Sequence, residues 1–156
     1  MIILRDSIEI KTTPEYIFKW FAHFKENYRA WHSDHRECRY LQRNDPLGEG
    51  SVSYCEEYLH GELHKLKLRI TKVVPNSQIE YMLPFFGRGA FLIKSHGTRV
   101  LFTAELYFGW RIPLLGRLLD MGVHVFLKRR LEAMRQHMKE EGQNLKEFLE
   151  SDSNMN

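Results

Sequence analysis

The stretch that decides the fold is Ser51-Val52-Ser53-Tyr54-Cys55-Glu56-Glu57-Tyr58-Leu59-His60-Gly61-Glu62-Leu63-His64-Lys65-Leu66-Lys67-Leu68-Arg69-Ile70-Thr71. Two runs of β-forming residues flank His60-Gly61, a dipeptide suited to a tight turn with positive φ at glycine, so the segment reads as an antiparallel hairpin. A two-residue turn sets Leu59 opposite Glu62 and fixes every other pair by the period-2 alternation of a strand. One face then carries Val52 with Arg69, Tyr54 with Lys67, and Glu56 with Lys65, where long charged side chains face solvent. The other face carries Ser53 with Leu68, Cys55 with Leu66, and Glu57 with His64. This register turns a carboxylate and an imidazole toward the interior among apolar neighbours.

Outward from the hairpin, further strands are expected at about Arg36 to Gln42, Gln78 to Leu83, Gly89 to Ser95 and Thr98 to Phe108. His96-Gly97 serves as a second two-residue turn between the last two, pairing Phe91 and Ile93 with Val100 and Phe102. Asn44-Asp45-Pro46-Leu47-Gly48-Glu49-Gly50 is a turn by composition. At the N-terminal side residues 2 to 11 alternate as a strand. Thr13-Pro14 then opens a helix, with Ile17, Trp20, Phe21 and Phe24 on one face at i, i+3, i+4 and i+7. A short second helical piece covers about Glu26 to Trp31. After Pro113 the period becomes helical, and Leu127, Leu131, Met134, Met138, Leu145 and Phe148 or Leu149 mark one long helix to about Glu150.

The order is strand, two helices, about six strands, and one long helix, which is an α+β layout. A six- to seven-stranded antiparallel sheet hides one face only by curving around something, and the C-terminal helix is the one element long enough. Residues 2 to 150 form a single domain in this reading, and residues 151 to 156 a disordered polar tail. With 156 residues, 43% of them apolar, the chain buries about 70% of its extended surface, enough for a core that includes an internal cavity.

The element order, the Thr13-Pro14 helix start, the Pro46-Leu47-Gly48-Glu49-Gly50 turn and the long terminal helix resemble the SRPBCC superfamily. This helix-grip group includes START lipid-transfer domains, the birch pollen allergen and polyketide cyclase or dehydrase-like proteins. The resemblance covers about residues 2 to 150. It implies a deep, mostly apolar cavity between sheet and helix, used across the group for lipids, polyketides and other hydrophobic molecules. Some members are cyclases or dehydratases and many only bind, so the fold leaves the chemistry to the side chains.

Those side chains form a cluster. A strand entered at Arg36 and antiparallel to the one beginning at Ser51 places His35 beside Glu57, with Trp31 and Asp34 close by. On the terminal helix Glu141 falls in the middle of the apolar stripe, between Met138, Leu145 and Phe148, and His137 lies one turn earlier as an i, i+4 partner. Gly142 suits a close approach of that helix to the sheet. His35, Glu57, His64, His137 and Glu141 are residue types that hold a divalent metal such as zinc and leave a coordination position open. Without metal, Glu57 and His64 are the candidate catalytic acid-base pair for moving protons on a carbonyl compound. A satisfied buried Glu57–His64 contact with no chemistry is the leading reading of that pair, ahead of the metal site and of acid-base chemistry, and an exposed His137 the alternative for the helix. Trp31, Cys55, Leu66, Leu68, Phe91, Phe102, Met134 and Met138 are the expected ligand-binding wall.

Composition narrows the function classes. A net charge of +3 without a long block of like charge leaves nucleic acid without a footprint. Cys38 and Cys55 lack CxxC spacing and read as buried thiols of a cytoplasmic protein. The first residues lack the basic start and apolar run of a leader, and Ile112 to Leu127, carrying Pro113, Arg117 and Asp120, falls short of a membrane span. Packing against the domain is the expected role of that segment, ahead of a mobile lid or a membrane-touching surface. The expected function is binding, as transport or sequestration, of a hydrophobic or aromatic small molecule. The alternative is a cyclase-, dehydratase- or hydrolase-type enzyme using the His/Glu cluster.

Overall fold

The computed structural model describes residues 1–43, 45, 47–59, 61–83, 87–108 and 128–153. Among these the elements are β1 (Ile2–Ile10), α1 (Pro14–Ala22), α2 (Phe24–Trp31), β2 (His35–Gln42), β3 (Val52–Leu59), β4 (Glu62–Val74), β5 (Gln78–Leu83), β6 (Gly87–His96), β7 (Arg99–Phe108) and α3 (Lys128–Ser153). Ile112 to Leu127, His60 and His124 lie outside the described residues.

Proline explains where α1 starts: extended backbone at Thr13 precedes Pro14, whose missing N–H is one the first turn leaves unpaired anyway. Ile17, Trp20 and Phe21 are buried as the spacing predicts. The helical path breaks at His23, whose backbone N–H turns back to the Trp20 and Phe21 carbonyls, so Phe24 belongs to α2. It still stacks on Phe21, with ring centroids 6.5 Å apart.

The seven strands form one antiparallel sheet in the order β1-β7-β6-β5-β4-β3-β2. The β3–β4 register is the expected one at all eight pairs, from Val52 opposite Arg69 to Leu59 opposite Glu62. The β6–β7 turn differs. His96 pairs with Arg99, so the two-residue loop is Gly97-Thr98, with Gly97 at φ +62°. Moving a turn by one residue moves each partner by two, so Ile93 faces Phe102 and Phe91 faces Ala104, while every side chain keeps its face of the sheet.

The long helix α3 lies against this sheet, touching β1, β3 and β7. It buries His137, Met138, Leu145 and Leu149, whereas Phe148 is exposed, which decides between the last two stripe candidates. Helical backbone continues to Ser153, three residues past the expected end, with the Ser151 hydroxyl donating to the Phe148 carbonyl. At Gly142 an added Cβ would stand 3.3 Å from Asp6 Oδ2 and 3.6 Å from Ile8, so glycine permits the close crossing of α3 over β1. No helix among the described residues is long and apolar enough to cross a membrane. Cys38 and Cys55 are free, buried and directly paired across β2 and β3.

Candidate metal centre and cavity

Three junctions bring the cluster together. The chain leaves α2 at Trp31 and enters β2 at His35, which pairs in register with Glu57 of β3. From above, α3 lowers His137 and Glu141, one helical turn apart, onto the same spot. Trp31 locks this approach: its indole N–H donates to the Glu141 carbonyl at 2.9 Å, and the Asn144 amide donates to the Trp31 carbonyl at 2.8 Å.

His35 Nε2 lies 3.1 Å from Glu141 Oε1 and 3.6 Å from Glu57 Oε2, and His137 Nε2 lies 3.6 Å from Glu141 Oε1. None of these contacts is directed as a hydrogen bond, because both imidazole Nε2 atoms are buried without a hydrogen-bond partner. Each Nε2 thus has carboxylate oxygens at ion-pair range but no directed hydrogen bond, an arrangement that a cation between the four side chains would complete. Tetrahedral coordination with ligand bonds of about 2.0–2.2 Å puts neighbouring ligand atoms about 3.3–3.6 Å apart, close to the spacing here. Ligand atoms of His35, Glu57 and His137 all fall within 4.8 Å of one another. Two neutral imidazoles and two carboxylates also balance a dication's charge, so the residues fit a divalent metal.

The surroundings prepare the ligands. His35 Nδ1 donates to the Tyr28 backbone carbonyl at 2.8 Å, which leaves the Nε2 lone pair facing the cluster. The Tyr28 ring stacks flat on His35, centroids 4.0 Å apart and planes 5° from parallel, and its hydroxyl donates to Glu57 Oε2 at 2.9 Å. Burial and the Glu57 charge push the Tyr28 phenol far up, so it stays a donor. Burial would raise Glu141, but His137 and His35 outweigh it and hold the carboxyl at about 2. For His137 burial acts to lower the pKa, yet Glu141, Glu57 and Asp34 carry it to about 9. Without a cation the cluster is thus an imidazolium–carboxylate assembly.

Beside it opens a cavity of about 210 Å³. Of the expected wall, Trp31, Cys55, Leu66, Leu68, Phe91, Met134 and Met138 line it. Phe102 does not: it packs beneath Phe21 and Phe91, with centroids 5.9 and 5.7 Å away, and belongs to the core. Glu57, His137 and Glu141 form the polar end, and His35 stands behind them with no exposed side-chain surface. His64 faces Glu57 in the register and lines the cavity; among the described residues neither it nor Glu141 is in a three-residue group at metal-ligating distance, but Glu141 has its contacts to His35 and His137.

Sequence reasoning missed three participants. Tyr28 is one α2 turn before Trp31, a spacing that marks it for the inner face. Tyr81 lines the cavity with its phenol laid across β6 over Gly89, where an added Cβ would come within 2.2 Å of the ring. Burial and the charges of Glu141 and Glu57 keep that phenol protonated. His32 contacts Glu140 Oε2 at 2.9 Å, and its ring lies 4.2 Å from His137.

No protein-family model matches the chain, and no curated protein matches it. Solved structures do. TTHA0849 from Thermus thermophilus is similar at TM-score 0.72 and 16% identity, over 97% of this chain and 99% of that one. The Polyketide_cyc-like protein Cgl2372 from Corynebacterium glutamicum is similar at TM-score 0.61 and 13% identity, over 96% and 92%. A START superfamily protein from Mycobacterium smegmatis is similar at TM-score 0.59 and 18% identity, over 86% and 95%. At such identities the likeness speaks for the fold alone, and the fold is the helix-grip architecture common to the START, polyketide-cyclase-like and pollen-allergen-like proteins of the SRPBCC superfamily.

Proposed function

We propose that this protein is a metal-dependent enzyme that takes a hydrophobic, preferably aromatic, small molecule into the cavity and acts on its carbonyl group as a hydrolase or cyclase. The cation is held by His35, Glu57, His137 and Glu141. The observation that carries this reading is the pair of buried imidazole nitrogens, His35 Nε2 and His137 Nε2, that lack hydrogen-bond partners beside two carboxylates.

A divalent cation held by these four residues would supply Lewis acidity to a carbonyl oxygen taken as a fifth ligand. The chain's own residues do the rest. Leu66, Leu68, Phe91 and Met134 hold the apolar part of the ligand. Burying one aromatic ring of about 150–250 Å² at ~25 cal/mol per Å² contributes about 4–6 kcal/mol before association costs. The cavity is smaller than the about 300–1,000 Å³ of usual small-molecule sites, which favours one ring with short substituents. Tyr81, kept protonated, offers a donor to a ligand oxygen, and His64 beside Glu57 is placed to carry a proton. A binding protein without catalysis is the second reading, favoured by the predominance of leucine, phenylalanine and methionine in the wall.

The test is elemental analysis of protein purified without an affinity tag, followed by chelation, reloading with zinc or cobalt, and assay on aryl esters and aryl ketones. One cation per chain and turnover that chelation abolishes are expected. Substoichiometric metal in every preparation and after reloading refutes the metal centre. Stoichiometric metal with ligand retention and no turnover on any carbonyl probe leaves the binding reading.

A further inference from the structure

A cation bound for the inner cluster must approach a protein of net charge +3. The ligand cavity is a poor route, because its walls are apolar and Arg130 is among its lining residues. On the outward side of α3 lies a second concavity of about 550 Å³, lined by Asp34, Glu132, Gln136 and Glu140 together with Arg129. His137 and Leu59 line both spaces, so these two side chains stand between them.

Resting on the metal centre proposed above, we propose that this acidic groove is the loading route for the divalent cation, with Asp34 and His137 as a transit site on the way to the inner ligands. His32, Asp34 and His137 present ligand atoms within 4.8 Å of one another, so a three-residue set exists on the groove side as well. It cannot compete with the inner set. His32 Nδ1 accepts the Asp34 backbone N–H at 3.0 Å, which leaves Nε2 as its N–H, donating to Glu140. Both nitrogens of His32 are thereby used. The groove side retains the half-exposed Asp34 carboxylate and the buried His137, which is 9% exposed and has the unpartnered Nε2. Asp34 and His137 offer a dication two ligands and the inner set, which shares His137, offers four, so the gradient runs inward.

Glu140 supplies charge along this path from a fixed position, since Gln136 Nε2 donates to its Oε1 at 2.8 Å while His32 engages Oε2. Arg129 opposes it at the rim, and Glu132 has Arg135 at 3.9 Å, so Asp34 and Glu140 carry most of the attraction. A cleft lined by one sign of charge raises association rates by about 10- to 1,000-fold, less at high salt, and Arg129 puts this groove at the low end of that range.

Stopped-flow uptake of Co²⁺ by the chelated full chain, followed by the visible absorbance of the bound ion, tests the route. The double variant Asp34→Asn, Glu140→Gln leaves the inner ligands untouched and is expected to load about tenfold more slowly at low ionic strength. Its saturated spectrum should match wild type, and the difference should shrink at 0.5 M salt, about the concentration at which screening becomes short-ranged. Asp34→Asn alone, expected to slow loading about threefold, serves if the double variant does not fold. A control, Glu15→Gln with Glu26→Gln, removes the same charge from exposed positions on α1 and α2 and should load as wild type does. Wild-type rates in the groove variants, or equal slowing in the control, overturn the route. A wild-type chain that takes up no cobalt overturns the metal centre itself, a separate result.

Discussion

Replacing Tyr28 by phenylalanine removes one atom from the cluster and leaves its backbone carbonyl and ring in place. The lost hydroxyl donates to Glu57 Oε2 at 2.9 Å, while the stack on His35 and the carbonyl that accepts from His35 Nδ1 remain. A hydrogen bond to a charged group contributes about 1.5–3 kcal/mol, and Glu57, only 16% exposed, has little water to replace it. Taking about 2 kcal/mol as the share that orients Glu57 for the cation, zinc affinity should fall about thirtyfold, within the 10- to 100-fold range of outer-shell substitutions. The measurement is competition for Zn²⁺ against a chromophoric chelator at pH 7.5. A denaturant titration in EDTA should show the cation-free protein destabilised by only about 1 kcal/mol. Tyr28→Leu, which also removes the stack, should lower zinc affinity further. If Tyr28→Phe binds zinc within twofold of wild type, Glu57 is not a ligand that Tyr28 positions, and the proposed coordination is wrong.

Four further outcomes follow from the same geometry. His137→Ala or His35→Ala should abolish stoichiometric zinc binding by elemental analysis while the far-ultraviolet spectrum stays that of the parent; retained stoichiometry would remove these residues from the ligand set. In EDTA, Glu141 has a folded pKa of about 2 against an ordinary 4.5, so its contribution is present above 4.5 and fades as pH falls toward 2; His137, raised to about 9 from 6.5, contributes fully below 6.5 and loses its share as pH rises through 9. Both describe one assembly contributing about 3 kcal/mol, so urea titrations of the cation-free chain should peak between about pH 4.5 and 6.5, and a profile flat from pH 3 to 9 would contradict the pairing. Gly89→Ala sets a Cβ into the Tyr81 ring, and overpacking should cost about 1–3 kcal/mol in chemical denaturation; an unchanged midpoint would mean the phenol does not lie over β6. Leu66→Trp should fill the cavity and lower the affinity of N-phenyl-1-naphthylamine at least tenfold by fluorescence titration, with unchanged affinity placing the apolar site elsewhere.

Much of this arrangement was legible because strand pairing is arithmetic. Once Leu59 faces Glu62, Glu57 must face His64 and turn inward, and the antiparallel neighbour puts His35 beside it. Helical periodicity gave the inward direction of Glu141 and, from it, of His137. What periodicity cannot give is depth. Phe102 shares its face of the sheet with Phe91, yet one side chain reaches the cavity and the other is sealed under α1, because that depends on how the helices sit on the sheet. His64 likewise has the right register, and register alone does not say how far its imidazole extends toward the other ligand atoms. Tyr28 and Tyr81 escaped notice because an aromatic at core spacing carries no mark of a working hydroxyl until its neighbours are known. His32 escaped because its partner Glu140 is more than a hundred residues away in sequence.

The four proposed ligands come from β2, β3 and the terminal helix, the last joined to the others only through more than seventy intervening residues. A bound ion would therefore work as a clasp on the architecture, tying the terminal helix to β2 and β3 much as a cross-link over a loop of about 100 residues withdraws freedom from the unfolded chain. If the proposed ion closes that clasp, removing it should loosen the contact of α3 with β3 beside the cavity, so that mineral supply would also govern how readily a guest is admitted.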